Sequence, residues 1–483
     1  MNETDVLVIG GGISGLSVAR LLANKGIRVE LWERENRTGG KIKTQMHEGY
    51  RLEQSASIVM NFRADVNRFL TECGLDKYKI VLAPTTKRHL IIDDKLCSVP
   101  LKLMSMMTSP LWSWQGKLRI ALEPFIKKGG HEKESAADFI RRRLGSEFLE
   151  KALEPYIAGP LASDAEQTNA LSVLPRLTAL EQRYGSLTLG IMAHKILGRR
   201  TAVPTESFTF ENGMSTLTDK LAINNNVGSH ITIRNQCEAI ALIQTKQGWE
   251  IHGRTDAAEY ELHARQIIIS TPADTAAILT HDIDTELGSL LNKIEYAPVS
   301  VVHTGFDRDA ISHPLEGNGF LTPGNSKLVV NGCLWMSNLF SDRAPDGKVL
   351  MSNYLGGARN PNAAFWDKER CIDNIMQGLK PLLGIRHEPE MVTIHRHKQG
   401  LPMYNGAYKT HLNAIAKRLD DLPGLHLCAN YMGGISVRDR IACAYQLADR
   451  MVPKFMHAPQ ERKSFHFKFA DIPQTELEAG NSG

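Results

Sequence analysis

Residues 5–44, DVLVIGGGISGLSVARLLANKGIRVELWERENRTGGKIKT, leave the start of this chain few ways to fold. Val6, Leu7, Val8 and Ile9 form a short apolar, β-branched run, the pattern of a parallel strand buried on both faces. The run meets Gly10-x-Gly12-x-x-Gly15 directly. Leu16, Ala19, Leu22 and Ala23 then recur at helical spacing up to Gly26, a helix stop. A second strand, 27–32, ends in Glu33. Gly10 permits a tight turn, Gly12 lets the backbone approach a pyrophosphate, and Gly15 lets helix and strand pack closely. The amides of Ile13 and Ser14 open the helix, where its N-terminus faces phosphate. Glu33 is placed to accept from a ribose hydroxyl, which points to FAD or NAD rather than NADP.

With 483 residues the chain has room for two or three domains. A net charge of +4 is too small for a nucleic-acid binder. The seven cysteines are scattered and form no CxxC pair, which fits a reducing compartment without a disulfide framework or zinc ribbon. Asn2, Glu3 and Asp5 do not make the basic leader of a signal peptide, and no run of 18 apolar residues predicts a spanning helix. The 17 histidines form no HExxH or comparable cluster, so no metal is expected; His395 and His397 read as strand or loop residues.

Further along, Val66, Phe69 and Leu70 sit at helical spacing and Gly74 closes that helix. Lys87-Arg88-His89 leads a strand at 90–92, Asp93-Asp94 turns, and 96–99 returns. Residues 101–128 combine methionines and leucines with Trp112, Trp114, Lys117, Arg119, Lys127 and Lys128. Two readings fit this composition: a monotopic membrane-surface element, or a core helix pair with a solvated basic face. Ser135-x-x-Asp138 is a capping box; Ile140, Leu144, Phe148 and Ala152 form the helix's apolar stripe, Pro155 ends it, and Arg141-Arg142-Arg143 are expected on its wet side. Runs at 231–240 and 266–271 read as strands returning to the nucleotide domain. Runs at 299–306, 319–321, 328–335 and 349–355 predict an antiparallel sheet in a second domain. Asn430-Tyr-Met-Gly-Gly434-Ile435-Ser436-Val437 opens a last helix, whose N-terminus suits the anionic end of a reduced flavin.

Glu33-Arg34-x-x-Arg37-x-Gly39-Gly40-Lys41 resembles the extended fingerprint of the flavin amine oxidase and protoporphyrinogen oxidase superfamily. There the second glycine pair and a nearby basic residue also contact the FAD pyrophosphate. Glu53-Gln54-Ser55-Ala56-Ser57 stands where that superfamily has Glu-x-Gly-Ala/Pro-Asn, a loop passing over the flavin. Further motifs follow in the family's order: Leu122-Glu123-Pro124, Glu154-Pro155-x-x-x-Gly159, Tyr184-Gly185-Ser186, Asp342-Arg343-Ala344-Pro345, Leu355-Gly-Gly-Ala-Arg359-Asn360 and Leu401-Pro402-x-Tyr404. Together they resemble the oxygen-dependent protoporphyrinogen oxidase family over residues 5–455.

The resemblance implies an α/β fold: a Rossmann-type FAD-binding domain with an antiparallel-sheet substrate domain and a helical insertion. On this sequence the FAD domain falls at 1–85, 205–275 and 420–460, the helical membrane-associating and substrate-access domain at 86–204, and the substrate sheet at 276–419. A polar tail follows at 461–483. FAD would be held by Gly10, Gly12, Ile13, Ser14, Gly15, Glu33, Arg34, Gly39, Gly40, Lys41, Cys237, Asn430, Gly434, Ile435, Ser436 and Val437. Arg88 would take a substrate propionate, Leu321 and Leu334 would sandwich a pyrrole ring, and Tyr354 stands where an aromatic, usually phenylalanine, stacks on another ring. The chemistry is flavin-borne, so no side chain is expected as catalyst.

The implied reaction is the six-electron oxidation of protoporphyrinogen IX to protoporphyrin IX, with dioxygen as acceptor and hydrogen peroxide released, in haem and tetrapyrrole biosynthesis. Its alternatives are a coproporphyrinogen III oxidase, another amine oxidase or desaturase of the superfamily, and a flavin- or porphyrin-binding protein without turnover. A cytoplasmic protein, peripheral on the inner face of the cell membrane, and a homodimer complete the expectations.

Overall fold

The computed structural model describes residues 2–84, 86–99, 109, 111–196, 205–223 and 230–456. Its first strand, Asn2–Ile9, shows why the opening apolar run is continuous. Val6 and Val8 pack into one core and Leu7 and Ile9 into another, on opposite faces of the same strand. The strand is flanked by Val29–Glu33 on one side and Glu259–Ile269 on the other, all parallel. Ile231–Asn235 extends the sheet beyond Val29–Glu33, and Leu425–Leu427 pairs with the end of Glu259–Ile269. The hairpin Glu238–Thr245 and Gly248–Arg254 joins antiparallel. Helices Ile13–Ala23 and Val437–Met456 cover the first face. Helices Ala273–His281, Thr285–Asn292 and Tyr408–Asp420 cover the second. The α/β, Rossmann-type architecture is therefore as expected.

The run at 231–240 is two strands rather than one. Gln236, at φ 54°, breaks it, so its halves pair at opposite ends of the sheet. Cys237 sits at this break and donates its amide to the Glu33 carbonyl (3.0 Å).

A second seven-stranded sheet runs Met391–Pro402, Tyr296–Asp307, Lys348–Gly356, Gly332–Trp335, Gly319–Leu321, His89–Ile92, Lys95–Ser98. It is antiparallel except where Gly319–Leu321 meets His89–Ile92. Helix Lys368–Leu383 packs on one face. The 89–98 hairpin thus belongs to this sheet, although its chain position falls within the helical insertion. Likewise the helices at 273–292 and 408–420 pack on the nucleotide sheet, inside the stretch assigned to the substrate domain.

The helical layer corrects two sequence expectations. Helix Ala136–Leu144, capped by Ser135 accepting from the Asp138 amide (3.0 Å), ends at Gly145 with φ 92°. Pro155 does not end it but opens the later helix Glu154–Ala158. The arginine run is not uniformly wet either. Arg141 is exposed, Arg142 is paired with Glu134 (2.9 Å) and Glu181 (2.6 Å), and Arg143 is wholly buried. Arg143 donates to Glu123, to the Ile126 carbonyl (3.1 Å) and to the Gly185 carbonyl (3.1 Å). Burial alone would raise the Glu123 carboxyl, yet bonds from the Ser186 hydroxyl (2.6 Å) and the Leu187 and Thr188 amides (2.9 Å each) hold it below its ordinary range. A charge run turns inward when carboxylates distant in sequence wait for it. Trp112 is also core, stacked on Phe148 at 5.3 Å between centroids, whereas Trp114 is 72% exposed. Of the proposed membrane segment, residues 101–108 and 110 lie outside the described residues, as does the tail at 461–483.

Candidate active site

Between the ends of Asn2–Ile9 and Val29–Glu33 the backbone makes a cradle. Gly10 has φ 105° and its amide donates to the Trp32 carbonyl (2.8 Å). A Cβ at Gly15 would lie 2.0 Å from the Gly10 carbonyl oxygen, so only glycine allows this helix–turn contact. A Cβ at Gly12 would meet nothing within 4 Å. This open space lies at the start of helix Ile13–Ala23, which has no side-chain cap. Its first amides, on Ile13, Ser14 and Gly15, have no intrahelical acceptor.

Glu33 accepts from the Gly11 amide (2.7 Å) and the Glu35 amide (2.8 Å), fixing its carboxylate beside the same space. Gly39 donates to the Gly11 carbonyl (2.8 Å), and a Cβ at Gly40 would touch the Gly12 Cα at 3.2 Å. The second glycine pair therefore backs the first. Uncapped helix amides, open space and a fixed carboxylate beside it fit the diphosphate and ribose of FAD.

The remaining cofactor candidates fall in different places. Arg34 lies at the rim, 63% exposed at its side chain and 3.9 Å from Glu238. Burial lifts the Cys237 thiol to about 11, so at neutral pH it is a neutral packing group. Lys41 donates to the Gln399 carbonyl and the Gly400 carbonyl (2.8 Å), and burial brings its amine down to about 8 against the pull of Asp274. Asn430, Gly434, Ile435, Ser436 and Val437 form the approach to helix Val437–Met456. Ser436 caps that helix by accepting from the Asp439 amide (3.1 Å). Tyr404 sets the loop: its hydroxyl donates to the Asn430 carbonyl (2.8 Å) and accepts from the Gly434 amide (3.1 Å).

On the second sheet Leu321 pairs with Gly332, Gly332 with Tyr354, and Leu334 with Ser352. Leu321, Leu334 and Tyr354 therefore share one face. Cys333, Met351 and Leu355 point the other way, into the core. A Cβ at Gly332 would come within 3.0 Å of Leu321 Cδ2, so glycine lets the leucine side chain lie close over this strand. The Gly159 turn reaches the same leucine. Tyr354 and Ser57 hydroxyls are 3.2 Å apart, which ties this face to the loop at 53–57. Burial pushes the Tyr354 phenol up to about 12.

That loop is held by groups not picked out from sequence. His303 Nε2 bonds the Glu53 carbonyl (3.1 Å) and His397 Nε2 the Gln54 carbonyl (2.7 Å). Ser55 donates to the Lys41 carbonyl (2.7 Å), so a serine hydroxyl pins the chain where the superfamily has glycine. The Glu53 carboxyl is buried and raised to about 6; it accepts from Met214 N (2.9 Å) and Thr44 Oγ1 (2.8 Å) and lies 3.8 Å from Arg343. Only alternation along strands Tyr296–Asp307 and Met391–Pro402 could have marked these histidines, and it does not distinguish them from core. Arg88 is exposed at the start of His89–Ile92, on the same sheet as the leucines. Among the described residues no group of three or more His, Cys, Asp or Glu could hold a metal ion.

Comparisons with known proteins identify the family. Arabidopsis thaliana protoporphyrinogen oxidase 2, chloroplastic/mitochondrial, is 26% identical over 95% of this chain and 96% of its own length. Bacillus subtilis coproporphyrinogen III oxidase is 25% identical over 90% and 95%. A crystal structure of an Exiguobacterium protein provisionally assigned as a protoporphyrinogen oxidase superimposes with TM-score 0.76 at 21% identity, covering 94% of this chain and 99% of that one. Reduced UDP-galactopyranose mutase shares the fold at TM-score 0.72 and 12% identity, over 99% and 100% of the two chains. The profile of the flavin containing amine oxidoreductases matches residues 13–440. This chain belongs to that family and is an FAD-dependent oxidoreductase.

Proposed function

We propose that the protein oxidises protoporphyrinogen IX to protoporphyrin IX, with dioxygen as final acceptor and hydrogen peroxide as co-product, as a step of haem biosynthesis. One observation carries the reading: a flat sheet face of Leu321, Gly332, Leu334 and Tyr354, joined through Ser57 to the loop over the flavin cradle. Such a face suits a broad, largely apolar macrocycle better than a small amine. The names of the relatives point the same way. When bound, FAD supplies the two-electron acceptor.

The protein's part is placement. Leu321 and Leu334 grip a pyrrole ring, Tyr354 stacks on another, and Arg88 takes a propionate through a charge-assisted bond. His303 and His397 hold the loop carbonyls that fix the depth of the site. Coproporphyrinogen III is the second reading, favoured by the Ser57–Tyr354 hydroxyl pair, which adds polarity to the ring-stacking position. Supplying each porphyrinogen to the purified flavoprotein, and following porphyrin fluorescence, tests both. Arg88→Ala should lower kcat/KM by about 1.5–3 kcal/mol without changing flavin content.

Peripheral attachment to the inner face of the cell membrane is part of the proposal. Trp114, Leu118, Leu122 and Phe125 are exposed, Trp114 at 72% and Phe125 at 83%. Lys117, Arg119, Lys127 and Lys128 accompany them, as an interfacial element requires. Among the described residues no helix is long and apolar enough to cross a membrane.

A further inference from the structure

Tyr404 and Tyr408 stand where three parts of the molecule meet. Tyr404 lies just past strand Met391–Pro402 of the second sheet, and Tyr408 opens helix Tyr408–Asp420 on the nucleotide sheet. Their rings lie 4.5 Å apart between centroids, and both side chains are buried. Burial pushes both phenols up, so each hydroxyl keeps its proton to donate.

Both hydroxyls reach one loop. Tyr404 donates to the Asn430 carbonyl (2.8 Å) and accepts from the Gly434 amide (3.1 Å), while Tyr408 donates to the Tyr431 carbonyl (2.8 Å). The buried Arg440 guanidinium donates to the Ala429 carbonyl. Three consecutive carbonyls are therefore turned onto side chains of the interior. A Cβ at Gly434 would lie 2.7 Å from Asp439 Oδ2, so the loop also sits close on the first turn of helix Val437–Met456.

This loop leaves the nucleotide sheet at the edge of the glycine cradle. Leu425–Leu427 runs parallel to the end of Glu259–Ile269, which runs parallel to Asn2–Ile9, so residues 428–436 and 10–15 depart from the same side. In a doubly wound sheet that side holds the ligand. The Tyr404 segment is in turn stitched to the helical layer. Asn169 donates its amide to the Tyr404 carbonyl (2.7 Å), and Gly406 donates its own to the Gln167 carbonyl (3.0 Å). Asn169 is wholly buried, and its Nδ2 holds the Glu132 carbonyl (2.8 Å).

We infer that Tyr404 is a positioning residue for FAD. Its hydroxyl holds the 430–434 turn in place beside the cofactor, and its backbone ties that turn to the helical layer. Tyr408 supports it through the ring stack and the Tyr431 carbonyl. The inference rests on the placing of FAD along residues 430–437, and it holds whatever the substrate is.

The test titrates apoprotein with FAD, following quenching of flavin fluorescence, and measures the reduction potential of the bound flavin. Tyr404→Phe keeps the ring stack but leaves the Asn430 carbonyl and the Gly434 amide without their hydroxyl. It should weaken FAD about tenfold or more and lower the potential, because the loop amides no longer meet the charge gained on reduction. Tyr408→Phe, which loses a carbonyl bond but does not touch Gly434, should weaken FAD less than about threefold and leave the potential unchanged. In wild type, adding FAD to apoprotein should slow amide hydrogen exchange in peptides covering 404–406 and 167–169. A Tyr404→Phe protein with wild-type FAD affinity and potential would overturn the inference. Equal shifts from the two variants would do so as well, since both tyrosines would then be packing groups only. Unchanged exchange at 167–169 in wild type would overturn it even if neither variant folds. Failure of the oxidase reading shows separately, because no arm of this test uses a porphyrinogen.

Discussion

Gly12→Ala separates the cofactor role of the glycine cradle from its structural role. Gly12 has φ −70° and ψ 177°, extended backbone open to any residue, and a Cβ there meets nothing within 4 Å. In apoprotein the substitution should therefore be neutral or stabilising by about 0.4–1 kcal/mol, through reduced freedom of the unfolded chain. The apoprotein Tm should not fall, and should rise by no more than about 2–4 °C. FAD is a different matter, because the added methyl occupies the space assigned to the diphosphate. Losing one charge-assisted amide–phosphate bond, about 1.5–3 kcal/mol, weakens binding roughly 10- to 150-fold.

The assay is titration of apoprotein with FAD, followed by quenching of flavin fluorescence, beside thermal melts without FAD. Gly15→Ala is the contrast: its Cβ would sit 2.0 Å from the Gly10 carbonyl oxygen, so the turn must move and the apoprotein Tm should drop. A Gly12→Ala protein that binds FAD as wild type does, or whose apoprotein is destabilised, would refute the reasoning.

Further outcomes follow from other parts of the molecule. Glu123→Gln removes the nearer of the two carboxylates around the buried Arg143, leaving Glu181 at 3.4 Å, and should destabilise the fold by up to about 3–5 kcal/mol in denaturant titrations. His303, held at about 3 by burial and then by His395, stays neutral in the fold and takes a proton below about 6.5 only on unfolding. Its contribution makes stability fall as pH drops from 6.5 towards 3, by up to about 1.4 kcal/mol per unit. Glu53, raised to about 6, works oppositely between 4.5 and 6, where the folded state holds the extra proton and stability falls as pH rises. His303→Gln should therefore flatten or reverse the acid limb of a stability–pH profile, and an unchanged limb would count against this. In flotation with anionic liposomes, Trp114→Ser with Phe125→Ser should abolish binding that Trp112→Ser, a core change, reduces only through stability.

The nucleotide cradle was legible in the sequence because every part of it is local. Strand, glycines, helix and Glu33 all lie between Asn2 and Glu33, and their periodicities are set by the backbone. Strands of the second sheet at 299–306, 319–321 and 349–355 were legible for the same reason. What sequence could not show is assembly across distance. Arg143 looked like a surface charge because its partners, Glu123 and the Gly185–Thr188 turn, arrive from 20 to 45 positions away. Trp112 and Trp114 are two residues apart, yet one stacks on Phe148 and the other faces water.

Several motifs that resembled the family turn out to be joints. Arg359 bonds Glu154, linking sheet to helical layer, and the buried Arg343 donates to Thr209 Oγ1 and the Phe210 carbonyl (3.3 Å each), linking sheet to nucleotide domain. The stack of Arg176 and Arg438 on Phe62 draws on three separate segments and carries no local signature at all.

The central claim is that this flavoprotein oxidises a porphyrinogen, and one aerobic assay addresses it directly. Protoporphyrinogen IX and coproporphyrinogen III are supplied separately to purified FAD-loaded protein, and porphyrin fluorescence and peroxide are followed together. The account predicts enzyme-dependent porphyrin formation, faster with protoporphyrinogen IX, and about three peroxides per porphyrin, since six electrons leave in two-electron steps to dioxygen. No porphyrin or peroxide above the rate without enzyme, from either porphyrinogen, would contradict it.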